Sequence, residues 1–395
     1  FAGLGGLSLF LVKTYEDAPD GTRRWLATVD RVEEKLGHHG SVTAALTFDD
    51  TPAELVGQRG EGFKYMLMLM NSARLGVGFE SIGLCEAAWR MASAYAQERS
   101  AMGKPIARHE LIADYLDEMR TDIQGLRALA MDGALHQETA EKQGLVLRFL
   151  PPGDDTARRR LEREGKAHQA QARRTTPLLK YLAAEKAIEI ARRALQIHGG
   201  NGYMKEYGAE KLLRDALVMP IYEGTSQVQA LMAMKDTLGA IMKNPQGFVR
   251  RLAQARWRSL SARDELERRV ARIQALSLGV QQHLITKTAT DKVRSLQGRP
   301  LGEWPAAFLT HWNPKRDFAY AMLHAERLTR LLADEAICEV LLAQAQAHAE
   351  RREVLARWLE RCEPRCRFLA DEITTTGQRL LAGLAEPPAH EKAVG

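Results

Sequence analysis

Apolar positions follow two rhythms along the chain. Up to about residue 56 they fall in short runs bounded by turns that contain Gly and Asp. Leu7 to Val12 reads as a buried strand, and Trp25 to Val32 and Val42 to Phe48 as two more. Three strands without closing partners make an incomplete sheet. From about Gly60 the apolar residues recur at helical spacing. Tyr65 to Glu98 is a long helix whose Gly76 and Gly78 are tolerable only where another backbone packs close. Leu111 to His136, Leu178 to His198 and Ala209 to Val218 follow, and a fifth helix begins after the turn Gly224-Thr225-Ser226. Helices of this length on short connections predict an antiparallel bundle.

Gln137 to Thr176 interrupts the pattern with Pro151-Pro152-Gly153 and a dense mixture of both charges, and reads as a solvated insertion. After about Asn244 a further helical region begins, strongest over Phe248 to Ala275 and Asp317 to Ala347, with a linker-like break from Pro300 to Pro314. The predicted fold is mainly α. A partial β-domain (1–56) precedes a helical bundle (57–240, insertion at about 137–176), and a C-terminal helical extension (241–395) follows.

Composition narrows the class. With 395 residues, 45% hydrophobic and 27% charged, the chain buries a sizeable core in two or three domains. A net charge of +6 is mild at this length, and no basic stripe or reading motif points to nucleic acid. Cys85, Cys338, Cys362 and Cys366 are too few for a disulfide scaffold, and Cys362 and Cys366 lack the neighbours of a zinc site. No run approaches the ~18 apolar residues of a membrane helix. The opening run lacks a signal peptide's basic leader, so the expected location is cytoplasmic.

The chemistry lies in Gln196-Ile197-His198-Gly199-Gly200-Asn201-Gly202-Tyr203, in Arg214-Asp215, and in Ile221-Tyr222-Glu223-Gly224-Thr225-Ser226-Gln227. Three glycines at a helix end free the backbone to approach a ligand, although a plain glycine C-cap produces the same pattern. A carboxylate such as Glu223 near a helix start is also a routine favourable charge. Upstream stand Asn71-Ser72-Ala73-Arg74 and Glu98-Arg99-Ser100-Ala101-Met102-Gly103-Lys104-Pro105-Ile106.

Together, in this order and spacing, these segments resemble the acyl-CoA dehydrogenase family over about residues 7 to 235, with a C-terminal extension like that of the long bacterial members. The resemblance implies Glu223 as the catalytic base. It implies Arg99, Ser100, His109, Gln196, Gly199, Gly200, Gly224, Thr225, Ser226 and Gln227 around FAD, with Arg99 serving the flavin of a neighbouring subunit. Asn71, Arg74 and Tyr222 fall at the thioester substrate, and no metal is implied. It further implies an acyl-CoA substrate of fatty acid β-oxidation, an electron-transferring flavoprotein as electron acceptor, and association as homodimers or homotetramers. In the family an N-terminal helical domain and a fuller β-domain precede the bundle, so the chain looks like a fragment. Glu110 stands where the family often has Gln, and Ala230 where many members have an Arg near CoA. Ala73 occupies the position from which branched-chain relatives supply the base.

The reaction sets its own demands. Removing hydrogen across the α and β carbons of a thioester needs a base for the α-proton and an acceptor for the β-hydride. A Glu at its usual pKa of ~4.3 is a poor base, and a bound acyl chain that expels water makes it a better one. Two alternatives remain: an acyl-CoA oxidase that lets oxygen reach the flavin, and a catalytically silent flavoprotein of the same fold. Other features read as structural. Tyr65 to Met70 is taken for core packing, His198 for a packed or capping histidine, and the basic stretch Arg250 to Arg272 for a solvated face. The run Trp312-Asn313-Pro314-Lys315-Arg316-Asp317-Phe318 is distinctive but suggests no mechanism.

Overall fold

The computed structural model describes residues 3–150, 155–298, 300–304 and 314–384. Its N-terminal part is a set of antiparallel two-stranded ribbons. β1 (Leu9–Val12) pairs with β6 (Ala53–Val56), β2 (Tyr15–Asp17) with β3 (Arg23–Trp25), and β4 (Thr28–Val32) with β5 (Ala44–Thr47), with a bulge between Val29 and Arg31. The strand expected from Trp25 to Val32 is therefore two strands in different ribbons. Nor is Leu7 to Val12 buried, because Phe10 is 53% and Leu11 63% exposed. A two-stranded ribbon covers neither of its own faces, so an apolar run in it stays open.

The ribbons are tied to the first helix, α1 (Gly62–Glu98), at its N-terminus. Gly62 N–H donates to the Leu7 carbonyl (2.9 Å), and Gly60 N–H donates to Ser8 Oγ (2.9 Å). Gly62 has no room for a side chain, since a Cβ there would lie 2.5 Å from the Ser8 backbone. The narrow ribbons leave the start of α1 uncovered. Met68 and Leu69 are 67% and 72% exposed, so the stripe from Tyr65 to Met70 is not core.

α2 (Glu110–Phe149) and α3 (Asp155–His198) pack against α1 and against each other. Both run straight through the stretch expected to be an excursion, and the rings of His136 and His168 still meet at 4.9 Å there. The residues 137–149 and 155–176 are thus paired helix ends that show little apolar periodicity because much of their surface faces water. At the motif end, Cys85, Ala88, Ala92 and Ala96 of α1 and Ala187 and Ala191 of α3, small side chains that let the helices approach closely, meet Met119 and Ile123 of α2. Gly78 is also explained by packing, though by a side chain, because its Cβ would lie 2.7 Å from a Leu179 methyl; Gly76 faces open space.

α4 (Ala209–Ala216) and α5 (Ser226–Lys243) complete the bundle. α6 (Pro245–Ser261), α7 (Glu265–Arg294), α8 (Pro314–Asp317), α9 (Ala319–Leu323), α10 (Ala325–Ala347), α11 (Arg351–Thr375) and α12 (Gln378–Leu384) form the extension. One hydrophobic core crosses from α2, α3 and α5 into α7, α10 and α11. Trp312 and Asn313 lie outside the described residues. Among the described residues no helix is long and apolar enough to cross a membrane.

Candidate active site

The connection from α4 to α5 carries Glu223. Thr225 caps α5, its Oγ1 accepting from Val228 N–H (3.3 Å), so Glu223 lies before the helix and not in its first turn. Glu223 and Gly224 both adopt left-handed backbone angles, φ +54° and +87°. A non-glycine residue in that region carries strain of order 1–3 kcal/mol unless its surroundings hold it.

The surroundings supply three side-chain donors. Arg74, only 4% exposed, donates from Nε to the Glu223 carbonyl (3.2 Å). Buried Gln229 donates from Nε2 to the carbonyls of Glu223 (3.3 Å) and Gly224 (3.2 Å). Lys180, fully buried on α3, donates from Nζ to the carbonyls of Gly224 and Met219, each at 2.9 Å. Ser226 N–H closes the turn onto the Pro220 carbonyl (2.8 Å). Among the described residues no hydrogen bond or ion pair engages the half-buried Glu223 carboxylate, because everything that holds this residue grips its main chain.

Burial pushes the Arg74 guanidinium below its ordinary value, an effect opposed by the Glu223 charge. Burial likewise pushes the Lys180 ammonium down to about 8, opposed by Glu185 and Glu223 and reinforced by Arg74.

Tyr222 extends the site toward the ribbons. Its hydroxyl donates to Glu80, which also meets His38 Nε2 at 3.4 Å, and burial together with the Glu80 bond raises the phenol above its ordinary range. Arg214-Asp215 fixes the neighbouring loop. His38 N–H donates to Asp215 Oδ1 (2.6 Å), Arg214 Nη1 donates to the Leu36 carbonyl (3.0 Å), and a Cβ on Gly37 would lie 2.6 Å from the Arg214 carbonyl oxygen.

A second group lies at the far end of α1 and α3. Arg99 caps α1 and leads into a hairpin of β7 (Ser100–Ala101) and β8 (Lys104–Pro105), whose turn residues Met102 and Gly103 have φ +49° and +77°. His109 donates from Nε2 to the Ala101 carbonyl (3.0 Å), bracing the hairpin against α2. Departing from the family pattern, Glu110 is exposed and 3.9 Å from Lys104. His198 is a packed histidine, stacked on Tyr95 at 4.3 Å and donating from Nδ1 to the Ala194 carbonyl (2.7 Å).

The glycines separate by role. Gly202 is required by packing, its Cβ position lying 2.3 Å from the Leu195 carbonyl oxygen, and Gly199 by its φ of +61° at the helix end. Gly200 has neither reason, and nothing lies within 4 Å of its Cβ position. With exposed Gln196 and Arg99 at the same end, that open backbone suits the close approach of a flat ligand.

Twenty-five residues of one helix separate Arg74 from Arg99, about 37 Å at helical rise. Lys180 and Gln196 are about 24 Å apart on α3 by the same measure. One chain therefore does not bring the predicted cofactor residues around a single point. Arg99, Ser100, His109, Gln196, Gly199 and Gly200 form one group, and Arg74, Tyr222, Glu223, Gly224 and Thr225 form another. Two further predicted residues, next in sequence to the second group, point elsewhere. Ser226 is buried and donates to Glu185 (2.6 Å), and Gln227 donates to Glu326 of α10 (3.0 Å). Asn71 is on α1, one turn before Arg74, and its side chain is outside the described positions.

Residues 60–149 and 156–238, the stretch that carries both groups, match the family described as acyl-CoA dehydrogenase, C-terminal domain. That stretch belongs to the acyl-CoA dehydrogenase family. The chain is 32% identical over 316 residues to the 3-methylmercaptopropionyl-CoA dehydrogenase of Ruegeria pomeroyi, covering 75% of this chain and 50% of that one. Solved relatives share the fold beyond the bundle. An acyl-CoA dehydrogenase complexed with FAD from Bacillus anthracis superposes with a TM-score of 0.66 at 18% identity, over 95% of this chain and 63% of that one. ACDH-11 of Caenorhabditis elegans, solved in complex with C11-CoA, gives 0.63 at 22% identity, over 91% and 54%. The chain spans about half the length of the curated relatives it matches.

Lys180, Gln229 and Glu80 escaped the sequence reading. Lys180 alone left a trace, as a charged residue inside the apolar run Leu178-Leu179-Lys180-Tyr181-Leu182.

Proposed function

We propose that this chain is the base-bearing part of an FAD-dependent acyl-CoA dehydrogenase in which Glu223 abstracts the α-proton of an acyl-CoA thioester. The observation that carries this reading is the Glu223 carboxylate, half-buried and uncommitted, on a main chain held by Arg74, Gln229 and Lys180. A general base has to be fixed in place and yet free to accept a proton, and gripping only its backbone satisfies both needs.

FAD, when bound, supplies a hydride acceptor at N5. Gln196, Gly199, Gly200, Arg99, Ser100 and His109 would hold it from one subunit and Thr225 with Gly224 from another, a division that agrees with their separation along the helices. Tyr222 borders the thioester side of Glu223, and an acyl chain seated there excludes water from the carboxylate and so strengthens it as a base. Arg74 keeps a positive charge beside the developing anion. An electron-transferring flavoprotein is the proposed electron acceptor, and a homodimer or homotetramer the proposed assembly.

The base is tested by exchange in deuterium oxide. The FAD-loaded full-length protein should wash the α-protons of a bound, non-oxidisable acyl-CoA analogue into solvent, and Glu223→Gln should not. Equal exchange by both proteins rejects Glu223 as the base.

A further inference from the structure

We infer that Lys180 is a positioning residue for the base: its buried ammonium joins the two ends of the turn that carries Glu223 and holds that turn in its left-handed conformation. This inference rests on Glu223 being the base and adds a residue that the chemistry itself does not name.

The geometry is specific. The two carbonyls that accept from Nζ, those of Met219 and Gly224, lie on either side of Glu223 in sequence. A single cation donating to both ties the start of the turn to its end. Arg74 donates to the Glu223 carbonyl and Gln229 to those of Glu223 and Gly224, all at the later end of the turn.

Three charges face the ammonium: Arg74 from α1, Glu223 from the turn, and Glu185 one turn further along α3. Glu185 in turn accepts from Ser226, the first residue of α5, so the helix that follows the base is anchored to α3 as well. An ammonium inside a helix bundle is costly to keep. The bundle would be served better by an apolar side chain of similar length, such as Met, if packing were all that mattered at this position. What an apolar chain cannot do is donate to two main-chain carbonyls that the bend at Glu223 turns inward.

The test compares Lys180→Met and Lys180→Arg with wild type in the FAD-loaded full-length protein, using two readouts. The first is the rate of flavin reduction by saturating acyl-CoA. In Lys180→Met it should fall roughly ten- to a hundredfold, the usual consequence of a misplaced reacting group, with KM within about twofold and FAD content unchanged. Lys180→Arg, which keeps charge and donors, should recover part of the loss. The second readout, amide exchange at residues 219–225, requires no turnover. It should accelerate by about tenfold or more in Lys180→Met while the α3 amides stay as slow as in wild type.

Wild-type rates and unchanged exchange in Lys180→Met overturn the inference. So does uniformly faster exchange through α3, which marks a residue needed only for folding. If wild type itself shows no reduction by any thioester, the dehydrogenase reading fails, and the exchange measurement alone decides whether Lys180 holds the turn.

Discussion

Glu223 joins local strain to buried charge in a few residues. Its left-handed φ is an expense that nearby groups offset, and one of those groups is an ammonium with no access to water. Lys180 therefore leaves a signature in the pH dependence of stability. Its folded-state value is lowered to about 8, against ~10.4 for an unfolded lysine. Between these values the unfolded chain holds a proton that the folded chain has released, so folding becomes more favourable as pH rises through the window. Denaturation of wild type and Lys180→Met across pH 7 to 10.5 should show wild type gaining on the variant from about pH 8 upward, and a pH-independent difference would mean that the lysine is not buried as described.

The legibility of the site divides along the same line. Glu223, Gly224 and the glycines after His198 stand in contiguous runs whose order is distinctive. Lys180 and Gln229 act on main-chain carbonyls, and a donor to a carbonyl imposes no pattern on the sequence of the acceptor.

At the scale of elements, the extension is fastened to the bundle by complementary shape. Trp358 on α11 is buried against Gly125 on α2, where a Cβ would stand 2.5 Å from the indole ring. Beside it, Arg357 and Arg361 reach Asp117 of α2, at 2.9 and 3.1 Å. Trp358→Ala should cost about 3–5 kcal/mol, the usual range for emptying a buried indole site, measured by chemical denaturation. A loss under 1 kcal/mol would show that α11 does not depend on this contact.

Helix existence was readable from apolar spacing because α1 and the second half of α3 each bury a continuous face. The prolongation of α2 and α3 beyond His136 and before Thr176 was not, since helices with mostly solvated faces leave little apolar period to read. The β region shows the opposite failure. Leu9 to Val12 has the composition of a buried strand, yet composition does not say whether a covering layer exists, and here the ribbons stand open.

For the whole molecule, the spacing of the two residue groups along α1 and α3 bears on the proposed cofactor site. If both groups hold one FAD, as proposed, the distance of Arg99 and Gln196 from the Glu223 turn means that the site draws on two copies. FAD content and self-association should then rise and fall together, both lost in Arg99→Ala protein examined by light scattering and absorbance. Stoichiometric FAD in a monomer would contradict this.

The central claim is that Glu223 and an FAD together remove hydrogen from an acyl thioester. Anaerobic titration of the FAD-loaded full-length protein with a panel of acyl-CoAs, followed through the visible flavin absorption, tests it most directly. The account predicts bleaching by one class of acyl chain and its loss in Glu223→Gln; a flavin that no thioester bleaches, or one that bleaches equally in the variant, contradicts it.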